Sequence, residues 1–379
     1  MKKEHEIMLI VGIFYLIFIL LFISKFNFNP SATIELSEKS IPQYNGKLSH
    51  NLVIQKGDGF DGQYYYIIAT DLLHKRSLVS LVWFQRIVYP LLAYIFVLGD
   101  ISLLPWSLLL INFFSIILGT YLFIKILKKY KANLNLAYLW ALNAGFLIAI
   151  TRDLTEPLMF LFIMLAVYYL EEKNILLSSF FFVYALLTKE ATLLILLPLL
   201  CFFLVKRRFK DLAIFSIPLL AFLIWQVTIF IVLNKFAIFS YGDGFVFDLP
   251  FTGVSKYLLW VEFPENPREV YHYFSILPLL FFSLIQIYTI LKSKIQKFTP
   301  YLGILLFQIF IMFTLKFRLY TEEIDGMGRY AISLFLFSIL YSVERKQKYD
   351  CWLILIMIFM SFLFFAERLC QIINYFVVP

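Results

Sequence analysis

Charge is scarce in this chain: Asp, Glu, Lys and Arg supply 15% of 379 residues, with only three cysteines and four histidines. So little charge beside 61% apolar residues excludes an ordinary water-soluble domain. Cys201, Cys351 and Cys370 lie in or beside apolar runs without CxxC spacing, which gives neither a disulfide framework nor a zinc site. His50, His74 and His272 have no ligand-like spacing, and His5 sits in the basic N-terminal stretch. No internal repeat or low-complexity tract is present, and no polar segment is long enough for a nucleotide-binding domain. The formal charge of +8 gathers in short clusters, 125–131, 206–210, 292–297 and 345–348, between apolar runs. Such clusters are topology signals, so no nucleic-acid partner is expected.

What the chain does have is a series of apolar runs long enough for a bilayer. We read an all-α, polytopic transmembrane helical bundle, a single integral membrane domain over 1–379. Its eleven spans are 7–24, 103–124, 134–150, 155–170, 175–187, 191–205, 212–233, 271–291, 300–317, 329–343 and 351–367. Lys2 and Lys3 before the first run give it a signal peptide's outline, but no small-x-small cleavage site follows at Ser24, so it is read as a retained span. The run 87–98 is short and carries Pro90. If it crossed, all four basic clusters would face outward; if it lies along or dips into the outer leaflet, all four stay in the cytoplasm. The second pattern is expected, with the N-terminus inside and outer segments at 25–102, 234–270 and 316–328. Within the first of these, Tyr64 or Tyr65, Ile68 and Leu72 follow helical spacing and predict an amphipathic helix at the interface.

The spans are nearly free of charge: 103–124 has none and 212–233 offers only Gln226. An ion-coupled transporter would need midplane groups that these spans lack. Charges crowd instead at the outer ends of spans, at Arg152, Asp153 and Glu156, at Lys189 and Glu190, and at Arg318, Glu322, Glu323, Asp325 and Arg329. Their convergence would build a polar chamber where a water-exposed acceptor meets a substrate with a membrane-bound tail. Plainer roles stand beside this one. Arg152 and Lys189 can snorkel to the interface, the acids at 322–325 can form a solvated loop, and the tyrosines at 64–66 can be an interfacial anchor. The stretch Asp58-Gly59-Phe60-Asp61-Gly62 lacks the alternating oxygen-ligand spacing of a calcium loop. Its glycines bring the Asp61 carboxylate to the start of a helix, where it can approach a substrate or simply cap the helix.

The segment Phe60-Asp61-Gly62-Gln63-Tyr64-Tyr65-Tyr66-Ile67-Ile68-Ala69, followed by Gln85-Arg86-Ile87-Val88-Tyr89-Pro90-Leu91-Leu92, resembles the first outer loop of GT-C glycosyltransferases. The nearest likeness is to the GPI mannosyltransferase II family and its prokaryotic relatives, with Phe60 where those have Trp. Arg152-Asp153-Leu154-Thr155-Glu156-Pro157 and Thr188-Lys189-Glu190 resemble outer-loop motifs of the prokaryotic members. The resemblance implies a GT-C fold and an inverting hexosyltransferase of mannosyltransferase-like type. Its donor would be a sugar on a polyprenyl or dolichyl phosphate, and its acceptor a glycan, lipid or protein on the non-cytoplasmic face. It implies Asp61 as the catalytic acid of the first outer loop. Gln63, Tyr64, Arg86, Arg152, Asp153, Glu156, Lys189, Glu190 and Arg329 become substrate-binding candidates. Elementary chemistry agrees: a carboxylate takes the acceptor proton, and fixed cations stabilise the leaving phosphate. No cofactor is called for, no metal site is assigned, and a divalent metal and a membrane subunit are left open. Transfer of a whole lipid-linked oligosaccharide, or its transport by a flippase, are the alternatives. The outer segments contain no N-x-Ser/Thr sequon, compatible with a prokaryotic plasma membrane.

Overall fold

Helix starts in this chain are written into the sequence by small polar residues and prolines. Asn143, Asn174 and Thr299 each accept a backbone N–H of a following first turn, from Gly145, Leu177 and Leu302. Pro105, Pro157 and Pro218 occupy first-turn positions that need no backbone donor. The structure, a computed structural model, describes residues 2–41, 48, 51–72, 81–240, 247–260, 267–292, 298–317, 324–346 and 351–377.

The first helix, α1 (Lys3–Ser24), leads into the long segment 25–102, the one expected from the sequence to be the first outer segment. This segment holds a 3-10 turn (Pro30–Ile34), strands β1 (Leu36–Ser37) and β2 (Ile54–Gln55), and helices α2 (Gly62–Thr70), α3 (Leu81–Phe84) and α4 (Val88–Phe96). The strands pair in parallel, Leu36 opposite Ile54 and Ser37 opposite Gln55. Then come α5 (Leu104–Lys129), α6 (Leu136–Ala141), α7 (Ala144–Ile150), α8 (Glu156–Glu171), α9 (Ile175–Thr188) and, after a 3-10 turn at Glu190–Thr192, α10 (Leu193–Val205). The second half carries α11 (Phe209–Phe215), α12 (Ile217–Leu233), α13 (Thr252–Trp260), α14 (Pro267–Lys292), α15 (Pro300–Met312), α16 (Ile324–Glu344) and α17 (Cys351–Val377).

Four helical stretches among the described residues are long and apolar enough to cross a membrane: Lys3–Ser24, Ile101–Lys129, Phe209–Leu233 and Gly326–Glu344. The first and third of these have apolar outward faces, whereas Gly326–Glu344 is largely enclosed by the bundle. Leu9, Ile13, Leu16 and Leu20 on α1, and Leu220, Leu223, Ile224 and Ile231 on α12, are exposed. An apolar surface this continuous suits a lipid solvent rather than water. Helices α5 and α9 flank α8, α16 packs on α7 and α15, and α10 packs on α15, so the core runs through the middle of the bundle.

Three elements differ from the reading of the sequence. The run 134–150 is not one helix: Asn143 turns its backbone to an extended conformation and splits it into α6 and α7, about 9 and 10 Å long. The run 300–317 is helical only as far as Met312 before the chain turns. Helix α2 is not an interfacial helix with a wet face, because Gly62, Gln63, Tyr65, Tyr66, Ile67, Ile68 and Ala69 are all buried. It is a wedge beneath the 3-10 turn, against α4 and α5.

The bundle has two chemically distinct ends. At one, Lys128 of α5 pairs with Glu4 of α1, and Glu171 at the end of α8 accepts from the hydroxyls of Tyr130 and Tyr301 (2.8 and 2.5 Å). Helices α1 and α5 are therefore antiparallel, and the segment between them returns to the end at which α1 leaves off. Helix α4, nine residues and about 13 Å long, is too short to cross. The first outer segment, the α7–α8 turn, the α9–α10 turn and Arg329 of α16 meet at the opposite end.

Candidate functional site

Gly62 fixes where Asp61 lies. A Cβ at this position would stand 2.3 Å from the carbonyl oxygen of Arg152 and 2.9 Å from that of Ile34, so only glycine lets the start of α2 press onto both turns. Asp61 is thereby brought beside the α7–α8 turn. Its side chain makes no capping hydrogen bond to α2, so the capping role has no geometric support.

Around Asp61 the charges form one network. Arg86 grips Glu190 with two parallel bonds, Nε to Oε2 at 2.9 Å and Nη2 to Oε1 at 2.5 Å. Its Nη1 donates to the Tyr65 hydroxyl at 2.7 Å and lies 3.8 Å from Oδ2 of Asp61. Burial pushes the Tyr65 phenol well up, so it meets Arg86 as a neutral hydroxyl. One oxygen of Glu156 receives both Lys189 Nζ (2.6 Å) and Arg329 Nη1 (3.0 Å). Burial lowers the Lys189 ammonium pKa, and the Glu156 carboxylate opposes that drop. The guanidinium of Arg152 lies 3.9 Å above the centre of the Phe60 ring, with its Nε 3.4 Å from Glu35 Oε1. Arg329 approaches the same ring at 5.8 Å.

Exposure separates the carboxylates of this network. The Asp61 side chain is 26% exposed, against 16% for Glu35, 4% for Glu156 and 18% for Glu190. Asp61 is the acid of the four most open to an incoming molecule, while the other three serve mainly to hold cations.

Of the residues expected to meet substrate, Asp61, Arg86, Arg152, Glu156, Lys189, Glu190 and Arg329 come together at this end. Gln63 is spent on the loop itself: its Oε1 accepts from the Ser37 amide (3.2 Å) and its Nε2 donates to the Asp58 carbonyl (3.1 Å). Tyr64 packs against Trp83, ring centres 4.2 Å apart and planes tilted by 35°, and its phenol is pushed up by burial and by the nearby Asp61 and Asp58 carboxylates; Tyr65 is the tyrosine that reaches Arg86. Asp153 is fully buried and lies outside the surface a substrate could touch. His50, His74, Arg318, Glu322 and Glu323 lie outside the described residues. One participant carries no signature in the sequence, and the part played by another within its motif is not legible there. Glu35 is a lone acid in an irregular stretch, and the role of Phe60 as a platform for two arginines needs the fold. Among the described residues no group of three or more His, Cys, Asp or Glu is gathered that could hold a metal ion.

Comparison of the chain with protein-family models, with curated proteins and with solved structures finds no match in any of the three.

Proposed function

We propose that this protein is an integral membrane glycosyltransferase of GT-C type, moving a sugar from a polyprenyl-phosphate carrier to an acceptor on the non-cytoplasmic face. The observation that carries this reading is the placement of Asp61. It is the most open carboxylate of a network that also holds Arg86, Arg152, Lys189 and Arg329, at the end of the bundle away from Lys128 and Glu4. Basic residues are retained on the cytoplasmic side, so the Asp61 end faces out.

In this reading Asp61 removes the proton from the acceptor hydroxyl as its oxygen attacks C1 of the donor sugar. The C1–phosphate bond breaks, its electron pair leaves with the carrier phosphate, and attack from the opposite face inverts the anomeric centre. The arginines and Lys189 are already fixed by carboxylates and by the Phe60 ring, so they can receive growing negative charge without rearranging. Arg86, 3.8 Å from Asp61, flanks the carboxylate on the side of the Tyr65 hydroxyl and limits where it can turn. The carrier's tail stays in lipid beside the apolar helix faces.

Purified protein offered a panel of polyprenyl-phosphate sugars and acceptors should release free carrier phosphate in detergent, where no sealed membrane allows transport. Nucleotide sugars without a lipid carrier should be inert. Robust turnover of a nucleotide sugar alone would overturn the assignment.

A further inference from the structure

Asp153 is charged in no obvious way. It sits in the α7–α8 turn with a left-handed backbone (φ 45°), a conformation Asp tolerates better than most residues, and its side chain has no exposure to solvent. Among the described residues no cation lies within ion-pair distance of it, for the neighbouring Arg152 guanidinium is turned towards Glu35 and Phe60. Its Oδ1 is buried and finds no hydrogen-bond partner among the described residues. An ionised carboxylate placed this way would be a costly unpaired buried charge.

Proton counting points the same way. The Thr33 hydroxyl oxygen lies 2.7 Å from Oδ2 of Asp153 and also 2.7 Å from the carbonyl oxygen of Pro30. A hydroxyl owns one proton and can donate it to only one of these oxygens. Both short contacts are hydrogen bonds only if Thr33 donates to Pro30 and Asp153 donates to Thr33. The chain of donors is then Asp153 to Thr33 to Pro30.

We propose that Asp153 is held as a neutral carboxylic acid, and that its proton clips the 3-10 turn of the first outer segment to the α7–α8 turn, acting as a positioning residue for Asp61. The clip has a direct mechanical reach. The 3-10 turn leads into Glu35, which meets Arg152, and the carbonyls of Ile34 and Arg152 are the two surfaces on which Gly62 seats α2. Burial raises the Asp153 pKa to about 8, against the Thr33 contact, and the nearby Glu35 carboxylate adds to the rise. The titratable and charged groups facing it are Glu35 from the first outer segment, Arg152 in its own turn, and Tyr89 from α4, whose hydroxyl is engaged by Asn112 and Leu108. Ionisation forces Thr33 to turn its proton from Pro30 towards the carboxylate, so the side-chain bond to the Pro30 carbonyl is lost and a buried charge without a cation is left between the two turns.

The protonation state stands on its own, while the positioning of Asp61 for transfer rests on the glycosyltransferase reading; the test separates them. In infrared difference spectra of the purified protein, stepped from mildly acidic to mildly alkaline pH, a carboxylic acid carbonyl band should vanish with a midpoint at about pH 8. The band should be missing in Asp153→Asn, and Thr33→Val, which removes its acceptor, should shift it. Thermal stability gives a second readout. The unfolded chain releases this proton near the ordinary Asp pKa of about 3.9, so stability should fall as pH rises from there to about 8 and level off above it. Asp153→Asn should lack that slope. If the protein transfers sugar, wild type should be roughly tenfold down one pH unit above the midpoint, and Asp153→Asn, a neutral mimic, should keep its neutral-pH rate there. A spectrum without an Asp153 acid band, or one indifferent to Thr33→Val, overturns the neutral acid whatever the enzyme does. An identical alkaline loss in Asp153→Asn overturns the positioning role. A present band with no sugar transfer under any condition leaves the neutral acid standing and overturns only the glycosyltransferase reading.

Discussion

The two ends of the bundle use the same residue types for opposite purposes. At the end carrying Lys128 and Glu4, pairs such as Lys3–Glu6 and Lys129–Glu172 have side chains 40% or more exposed, where water screens them and each contributes little. At the Asp61 end the pairs join segments far apart in sequence and are mostly enclosed, as with Lys189 and Glu156 at 12% and 4% exposure. Taking charges out of water costs free energy that the pairing offsets only in part. A chain with so few charges nonetheless gathers many of them in one enclosed place. The contrast teaches that charges left in water cost the fold little, whereas charges held enclosed must be matched partner by partner, which is the arrangement functional sites favour.

The most severe way to break this contrast is Glu156→Ala, which leaves Lys189 and Arg329 without the carboxylate they share. Losing one partner of a buried pair costs about 3–5 kcal/mol. Thermal unfolding in detergent should show a large drop in Tm, and a wild-type Tm would mean that the two cations do not depend on Glu156. Asp61→Asn comes next and sharpens the division of labour within the site. It should leave Tm unchanged, since Asp61 makes no capping bond, while transfer falls by roughly two or more orders of magnitude. Asn caps helices as well as Asp does. Near wild-type turnover by the purified variant would remove Asp61 from the role of base. The smallest effect belongs to Lys129→Ala at the opposite end, whose Tm should stay within about 1 °C of wild type. A drop comparable to that of Glu156→Ala would erase the distinction between the ends.

Much of the bundle was legible because hydropathy is a property of long runs. Helices α1 and α5, and the joined α11 and α12, stand out as unbroken apolar stretches. The crowding of Arg152, Glu156, Lys189 and Arg329 at alternate ends of such runs also pointed to one meeting place. Asn143 was not legible, because one polar residue between Leu142 and Ala144 barely lowers the hydropathy of the run while its side chain redirects the backbone. The burial of α2 was hidden for a related reason. Spacing shows which residues share a helix face, but Tyr65 and Tyr66 are both covered, which depends on elements folded over α2 from elsewhere. Glu35 was unreadable because its partner, Arg152, belongs to a different segment and neither residue carries a pattern naming the other.

The Glu156 ion pairs also set a schedule for how this protein can be made. Lys189 follows Glu156 by 33 residues and Arg329 by 173, so a ribosome delivers the second cation long after the first. At about 5–20 residues per second the gap is roughly 7 to 28 s. Throughout that interval the Arg86–Glu190 grip ties the segment between α1 and α5 to the α9–α10 turn, and the Lys189–Glu156 pair ties that turn to α8, without the second cation on Glu156. The nascent chain therefore carries a half-built charge network at the membrane surface until α16 arrives, and a chain cut short before Arg329 would leave the Phe60 ring with Arg152 alone.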